Sequence, residues 1–232
     1  MGRITYYQTY DLSYPRPEAA FHCNQKAIKH LYSGEWLQNR VFIIHRWGAS
    51  PESDWYKWLK DTLNKFGFEV FVPQMPDPDH PHISSWVPYL SRLVVKSDAD
   101  TYFVGHSVGC QTILRYVETL GDGVTVGGAV FVAPWLSLKE GSLETPEGVA
   151  IADEWLNSQI EIARVSVHLK RLSAVFSDDD QYINLSDSEI LRKYLGAKII
   201  VHPKRGHFTE FDGVTEVHAV LNELLNMAKE KR

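Results

Sequence analysis

From Val41 onward the chain alternates between short apolar runs and longer amphipathic segments. Runs rich in Val, Ile and Phe recur at VFIIH (41–45), EVFVP (69–73), TYFVGHS (101–107), GAVFVAP (128–134), LSAVFS (172–177) and KIIVHP (198–203). They are continuous rather than alternating, as strands are when helices cover both faces of a parallel sheet. Between the first two runs, Trp55, Trp58, Leu59, Thr62, Leu63 and Phe66 follow helical spacing, with Pro51 as a start signal and Gly67 as a stop. The last segment sets Val217, Val220, Leu221, Leu224, Leu225 and Ala228 against Glu216, Glu223 and Lys229, a one-sided stripe. Strands alternating with helices predict a three-layer α/β/α domain around a mainly parallel sheet.

Two stretches depart from this rhythm. The interval 136–170 holds about twice the chain that one crossover helix needs, and a small cap over the strand ends is expected there. Residues 1–37, with three early tyrosines and the segment AAFHCNQKAIKHLY, read as an N-terminal arm carrying one short amphipathic helix, ahead of a domain spanning 38–232. The arm is the expected place for a protein partner or an oligomer contact.

Composition narrows the class. At 232 residues one domain buries a large core unaided, and 44% hydrophobic with 23% charged residues is ordinary for a globular chain. The formal net charge of −5, without a block of Lys and Arg, gives no footprint for nucleic acid or for an anionic membrane. No apolar run is long enough to span a bilayer. Two cysteines, Cys23 and Cys110, make no disulfide framework, and MGRITYYQTY lacks the apolar region of a secretory signal, so a cytoplasmic setting is the expectation. The opening Met-Gly is not a myristoylation signal, because Tyr6 stands where that motif wants Ser or Thr.

The sharpest chemical signal is Gly105-His106-Ser107-Val108-Gly109, placed directly after an apolar strand and before the helical stripe Cys110, Ile113, Leu114, Val117. G-x-S-x-G in that context is a nucleophile elbow, a tight turn that lifts the serine hydroxyl off the sheet edge at a helix N-terminus. Flanking side chains would collide there, which accounts for the glycines. A serine hydroxyl is a poor nucleophile until an imidazole takes its proton and a third group orients that imidazole. On an α/β-hydrolase sheet these partners follow in the order Ser, acid, His. The fifth run ends in Asp178-Asp179-Asp180, and the sixth is followed by Gly206-His207. His207 is therefore the expected base, and Asp180 the expected acid with Asp179 as the second choice. No other ligand spacing supports a metal at this Asp cluster. His80 and His82 sit in a Pro-rich loop, His202 precedes Pro203, and His218 lies on the last helix.

Val108 N–H is one expected oxyanion donor, and the loop after the first strand, at Arg46 or Trp47, supplies the other. Trp47 also suits the wall of an apolar pocket, and the Arg46 guanidinium suits either a substrate carboxylate or solvent. His45 and His106, adjoining these donors, complete the expected oxyanion and substrate-binding set. Cys110 reads as a buried thiol, and Trp55 and Trp58 read as core.

Together HRWGASPESDWYKWL (45–59), MPDPDHPHISSW (75–86), GHSVGCQTILRYVE (105–118), SDDDQYI (177–183) and GHF (206–208) resemble the small serine hydrolases of the retinoblastoma-binding-protein-nine type and their bacterial counterparts. The resemblance runs from Val41 to Met227. It implies an α/β-hydrolase fold, a triad at Ser107, Asp180 and His207, no cofactor, and an esterase-like or peptidase-like activity on small acyl substrates. The chain departs from the family pattern at Arg46, where bacterial members usually carry Gly, and at Gln181, where Pro often follows the acid. The alternative is a binding protein built on the same scaffold.

Overall fold

The computed structural model describes residues 39–229; the expected arm at 1–37, with its helix and Cys23, lies outside the described residues. Six strands, β1 (Arg40–Ile44), β2 (Glu69–Phe71), β3 (Thr101–His106), β4 (Gly128–Val132), β5 (Leu172–Ser177) and β6 (Lys198–His202), form one sheet in the order β2-β1-β3-β4-β5-β6. Every pairing is parallel. The helices are α1 (Tyr56–Lys65), α2 (Ile83–Leu93), α3 (Val108–Glu118), α4 (Pro146–Asn157), α5 (Ile162–His168), α6 (Asp187–Leu195) and α7 (His218–Lys229). The fold is that of an α/β-hydrolase.

Burial explains the continuous apolar runs, since β1, β3, β4 and β5 are buried at every residue. The edge strand β6 is buried at none. Register then sets the site: Ile44 lies level with Gly105, His106 with Val132, and Ser177 with His202. The loops that leave β1, β3, β5 and β6 therefore emerge along one carboxyl edge, where open parallel sheets hold their ligands.

Three sequence expectations need correction. Pro51 does not start α1; residues 51–55 form turns and a bend, Asp54 takes a left-handed φ of 54°, and the helix begins at Tyr56. Phe66 is exposed, because the chain leaves the helix at that residue and turns through Gly67. Glu223 is buried rather than solvated, since the Ser173 hydroxyl and the Lys198 ammonium reach it from β5 and β6 at 2.7 and 2.6 Å.

The interval 136–170 contains a loop and two helices. The shorter, α5, packs on α3 and serves the crossover to β5. The longer, α4, starts with Pro146 behind a Thr145 N-cap and is tied to neighbouring elements through Glu154, which accepts from Ile83 N–H at 2.9 Å, and Trp155, whose indole donates to the Pro81 carbonyl at 2.8 Å. Arg115 of α3 reaches the Trp155 and Ser158 carbonyls at 2.7 and 2.8 Å. Among the described residues no helix is long and apolar enough to cross a membrane.

Candidate active site

Ser107 sits between β3 and α3 with φ 54° and ψ −118°, a conformation that non-glycine residues adopt only when their surroundings enforce it. Its N–H is held by the Val132 carbonyl at 2.9 Å and its own carbonyl accepts from Cys110 N–H at 2.9 Å. The glycines are steric necessities: a Cβ on Gly109 would lie 2.3 Å from the Ile44 carbonyl oxygen, and one on Gly105 would lie 2.7 Å from the Cys110 nitrogen. The elbow thus packs α3 directly on the end of β1.

His207 follows β6, and its Nδ1–H donates to Asp180 Oδ2 at 2.8 Å. The other oxygen, Oδ1, accepts from the N–H groups of Tyr182 and Ile183 at 2.8 and 3.1 Å, so the carboxylate is fixed from both sides. The Tyr182 ring stands edge-on to the imidazole at 5.0 Å. Asp180 and His207 are both buried. With Nδ1 committed, Nε2 is the nitrogen left for the cavity that Ser107 and His207 line together.

The three adjacent aspartates have separate tasks. Asp178 accepts from Lys204 N–H at 2.8 Å, and Asp179 accepts from the Ser177 hydroxyl and Gly206 N–H at 2.7 and 2.9 Å. These bonds hold Asp179 below the ordinary carboxylate range and anchor the loop that carries His207. Asp180, not Asp179, meets the imidazole. Among the described residues no group of three or more His, Cys, Asp or Glu is arranged to hold a metal ion.

On the facing side, Val108 N–H is the first of α3 and has no acceptor within the helix. Trp47 N–H makes no hydrogen bond among the described residues, whereas Arg46 N–H donates to the Tyr56 hydroxyl at 3.1 Å. Of the two sequence candidates on this loop, Trp47 therefore keeps a free backbone donor and Arg46 does not. Trp47 is secured by its indole, which donates to the Asp79 carbonyl at 2.8 Å.

His45 and His106 do not belong to the substrate-facing set. Both are fully buried and neither lines the cavity: His106 is the last residue of β3 and His45 the first after β1, and both turn into the core. His45 Nδ1–H donates to the Arg46 carbonyl and Nε2 accepts from Met75 N–H, at 2.8 and 3.0 Å, and burial lowers its pKa to about 4. His106 Nε2–H donates to the His207 carbonyl at 2.8 Å, leaving Nδ1 to accept the Tyr56 hydroxyl proton at 2.7 Å. Burial first, then the nearby His207, pushes its pKa well below the ordinary value. Burial also raises the Tyr56 hydroxyl and the Cys110 thiol well above their usual ranges.

Sequence reasoning missed Asp54 and Tyr56. Asp54 has a fully buried carboxylate, which accepts from Arg46 Nε and Nη2 at 2.8 and 3.3 Å and from Glu210 N–H at 2.9 Å. It joins the loop after β1 to the loop after β6. Nothing local marks these two residues, since the fold brings their partners together, Arg46 from the start of the same loop and His106 and Glu210 from across the sheet edge.

The cavity has a volume of about 520 Å³ and an apolar wall in which Trp47, Trp135, Leu138, Leu143, Tyr182 and Phe211 take part. Residues 41–226 match the family described as serine hydrolase. The chain is 30% identical to YdeN of Bacillus subtilis over 84% of its own length and all of that protein. It is 24% identical to the serine hydrolase RBBP9 of Rattus norvegicus over 75% of this chain and 86% of the relative. The YdeN crystal structure superposes with a TM-score of 0.75 at 28% identity, covering 83% of this chain and all of that one. Est1E from Butyrivibrio proteoclasticus, bound to ferulic acid, shares the fold with a TM-score of 0.63 at 17% identity, over 82% of this chain and 89% of that one.

Proposed function

The chain belongs to the serine hydrolase family, and we propose that it hydrolyses small acyl esters through an acyl-enzyme formed on Ser107. His207 takes the proton of the Ser107 hydroxyl as the oxygen attacks the acyl carbonyl, and Asp180 keeps the imidazole in the Nδ1–H tautomer and balances the imidazolium that forms. The tetrahedral oxyanion is received by Val108 N–H and Trp47 N–H, with the positive end of α3 behind the first. His207 then returns the proton to the leaving alcohol. Water, deprotonated by the same imidazole, attacks the acyl group and restores the serine.

The observation that carries this reading is the 2.8 Å bond from His207 Nδ1 to Asp180 in a cavity that both His207 and Ser107 line. The wide, largely apolar wall supports an ester or comparable acyl substrate rather than a highly solvated one. Intact-mass measurement during turnover of p-nitrophenyl acetate tests it: a 42 Da adduct on wild type and none on Ser107→Ala is the expected result, by the mass of the acetyl group about replacing a hydrogen. Turnover that persists in Ser107→Ala contradicts the assignment.

A further inference from the structure

Arg46 brings a guanidinium to the wall of the cavity next to Ser107, and taken alone it would mark a subsite for a substrate carboxylate. The charge is already matched. Asp54, its carboxylate wholly removed from solvent, holds Nε and Nη2 of Arg46 at 2.8 and 3.3 Å, and Arg46 Nη1 donates to the Trp47 carbonyl at 3.0 Å. Asp54 is itself locked by Glu210 N–H and by its left-handed backbone, so the pair is not free to reopen for a ligand.

The remaining charges near the cavity do not favour an anion. Asp212 lines it as a carboxylate, with Oδ2 accepting from His207 N–H, Thr209 N–H and the Thr209 hydroxyl at 3.0, 2.9 and 2.7 Å. Glu210 lies beside it on the same turn and is exposed. Lys139, next to the cavity-lining Leu138, does not itself line the cavity; its ammonium donates to the Asp180 carbonyl at 2.6 Å. With Arg46 cancelled by Asp54, the acidic and basic side chains lining the cavity leave the Asp212 carboxylate over, and an entering carboxylate meets that charge among aromatic and aliphatic side chains, where an unpaired charge is strongly disfavoured.

We infer that the cavity accepts uncharged acyl groups and turns anionic ones away, and that Asp54 sets this preference by neutralising Arg46. The inference rests on the acyl-hydrolase reading above. Asp54 touches neither substrate nor the reacting atoms; it is a specificity-determining residue that acts through Arg46.

Two esters with the same leaving group test it, p-nitrophenyl butyrate and p-nitrophenyl hemiglutarate, the second carrying a carboxylate at the far end of its acyl chain. Wild type is expected to favour the neutral ester in kcat/KM by about tenfold or more, the worth of one charged hydrogen bond gained or lost. Asp54→Asn frees the guanidinium and should shift the ratio toward the anionic ester by about ten- to a hundredfold, and adding Arg46→Gln to it should cancel the shift. The ratio within one variant does not depend on how much of it is folded, and the wild-type ratio stands as a test where Asp54→Asn fails to accumulate. Equal efficiency on both esters in wild type, or an unmoved ratio in folded Asp54→Asn, overturns the inference while leaving the hydrolase reading intact. Failure to turn over either ester, with no acylation of Ser107, overturns both.

Discussion

The imidazoles of His106 and His207 lie 5.3 Å apart, and the first holds the second by its backbone, His106 Nε2–H donating to the His207 carbonyl at 2.8 Å. Continuing outward from His106, the Tyr56 hydroxyl donates to Nδ1 and accepts from Arg46 N–H. One buried chain of hydrogen bonds thus links the loop that carries His207 to the loop that carries the Trp47 N–H. Trp55 supports the same loop from its indole, which donates to the Phe208 carbonyl at 3.1 Å.

Tyr56→Phe breaks that chain at its centre. It leaves Arg46 N–H and the buried His106 Nδ1 without partners, at a cost of about 2 kcal/mol or more. Urea unfolding should show that loss, and steady-state kinetics should show a fall in kcat with little change in KM, because the hydroxyl positions backbone groups and touches no substrate. A variant equal to wild type in both contradicts the role.

Asp180 and Asp179 should separate cleanly. Asp180→Asn disturbs the tautomer of His207 and is expected to lower kcat about 10⁴-fold, the size of the effect when a triad acid is so replaced. Asp179→Asn keeps the imidazole's partner and loosens only the loop anchors at Ser177 and Gly206; its effect on kcat is expected to be far smaller. Kinetics on one neutral ester decide between them, and a larger loss in Asp179→Asn would move the acid to that residue.

Acid should destabilise the fold through its buried histidines. His45 titrates at about 4 when folded, because burial penalises the imidazolium, and at about 6.5 when unfolded. The unfolded chain therefore binds the proton more readily. The stability that neutral His45 supports is complete above pH 6.5 and is lost as pH falls toward 4, by about 3 kcal/mol over that window. His106 is shifted in the same direction, and its hydrogen bonds need the neutral ring. Urea midpoints at pH 7.5 and pH 5 should differ in that direction, and His45→Gln should reduce the difference; a midpoint indifferent to pH contradicts the account.

Gly109→Ala places a methyl 2.3 Å from the Ile44 carbonyl, against backbone that no side-chain rotation can relieve. A loss at the upper end of overpacking costs, about 3 kcal/mol or more, is expected in thermal or urea unfolding. Unchanged stability would mean that α3 does not pack on β1 as described.

The strands were legible because four of the six are buried on both faces, which writes an unbroken apolar run into the chain. The apolar runs overshoot most of the strands by one or two residues, at His45, Pro134 and Pro203 for example, while LSAVFS matches β5 residue for residue. Ser107 and His207 were legible for a related reason: each follows a strand whose end is marked by its own glycine. What sequence could not reveal depended on contacts across the sheet edge. Asp54 lies in a polar run that resembles a helix approach, yet its carboxylate is wholly buried because Arg46 and Glu210 converge on it. His45 and His106 lie close in sequence to the expected oxyanion donors, while hydrogen bonds to Arg46 and Met75 and to Tyr56 and His207 hold their rings inward. Glu223 falls on the polar side of the α7 stripe, and its burial follows from Ser173 and Lys198 on neighbouring strands.

Labelling with a fluorophosphonate probe tests the central claim most directly, since only an activated serine beside a competent imidazole reacts with it. Wild type should be labelled on Ser107, with labelling abolished in Ser107→Ala and strongly reduced in His207→Ala. Folded wild-type protein that takes no label, or that takes it equally in Ser107→Ala, would contradict the account.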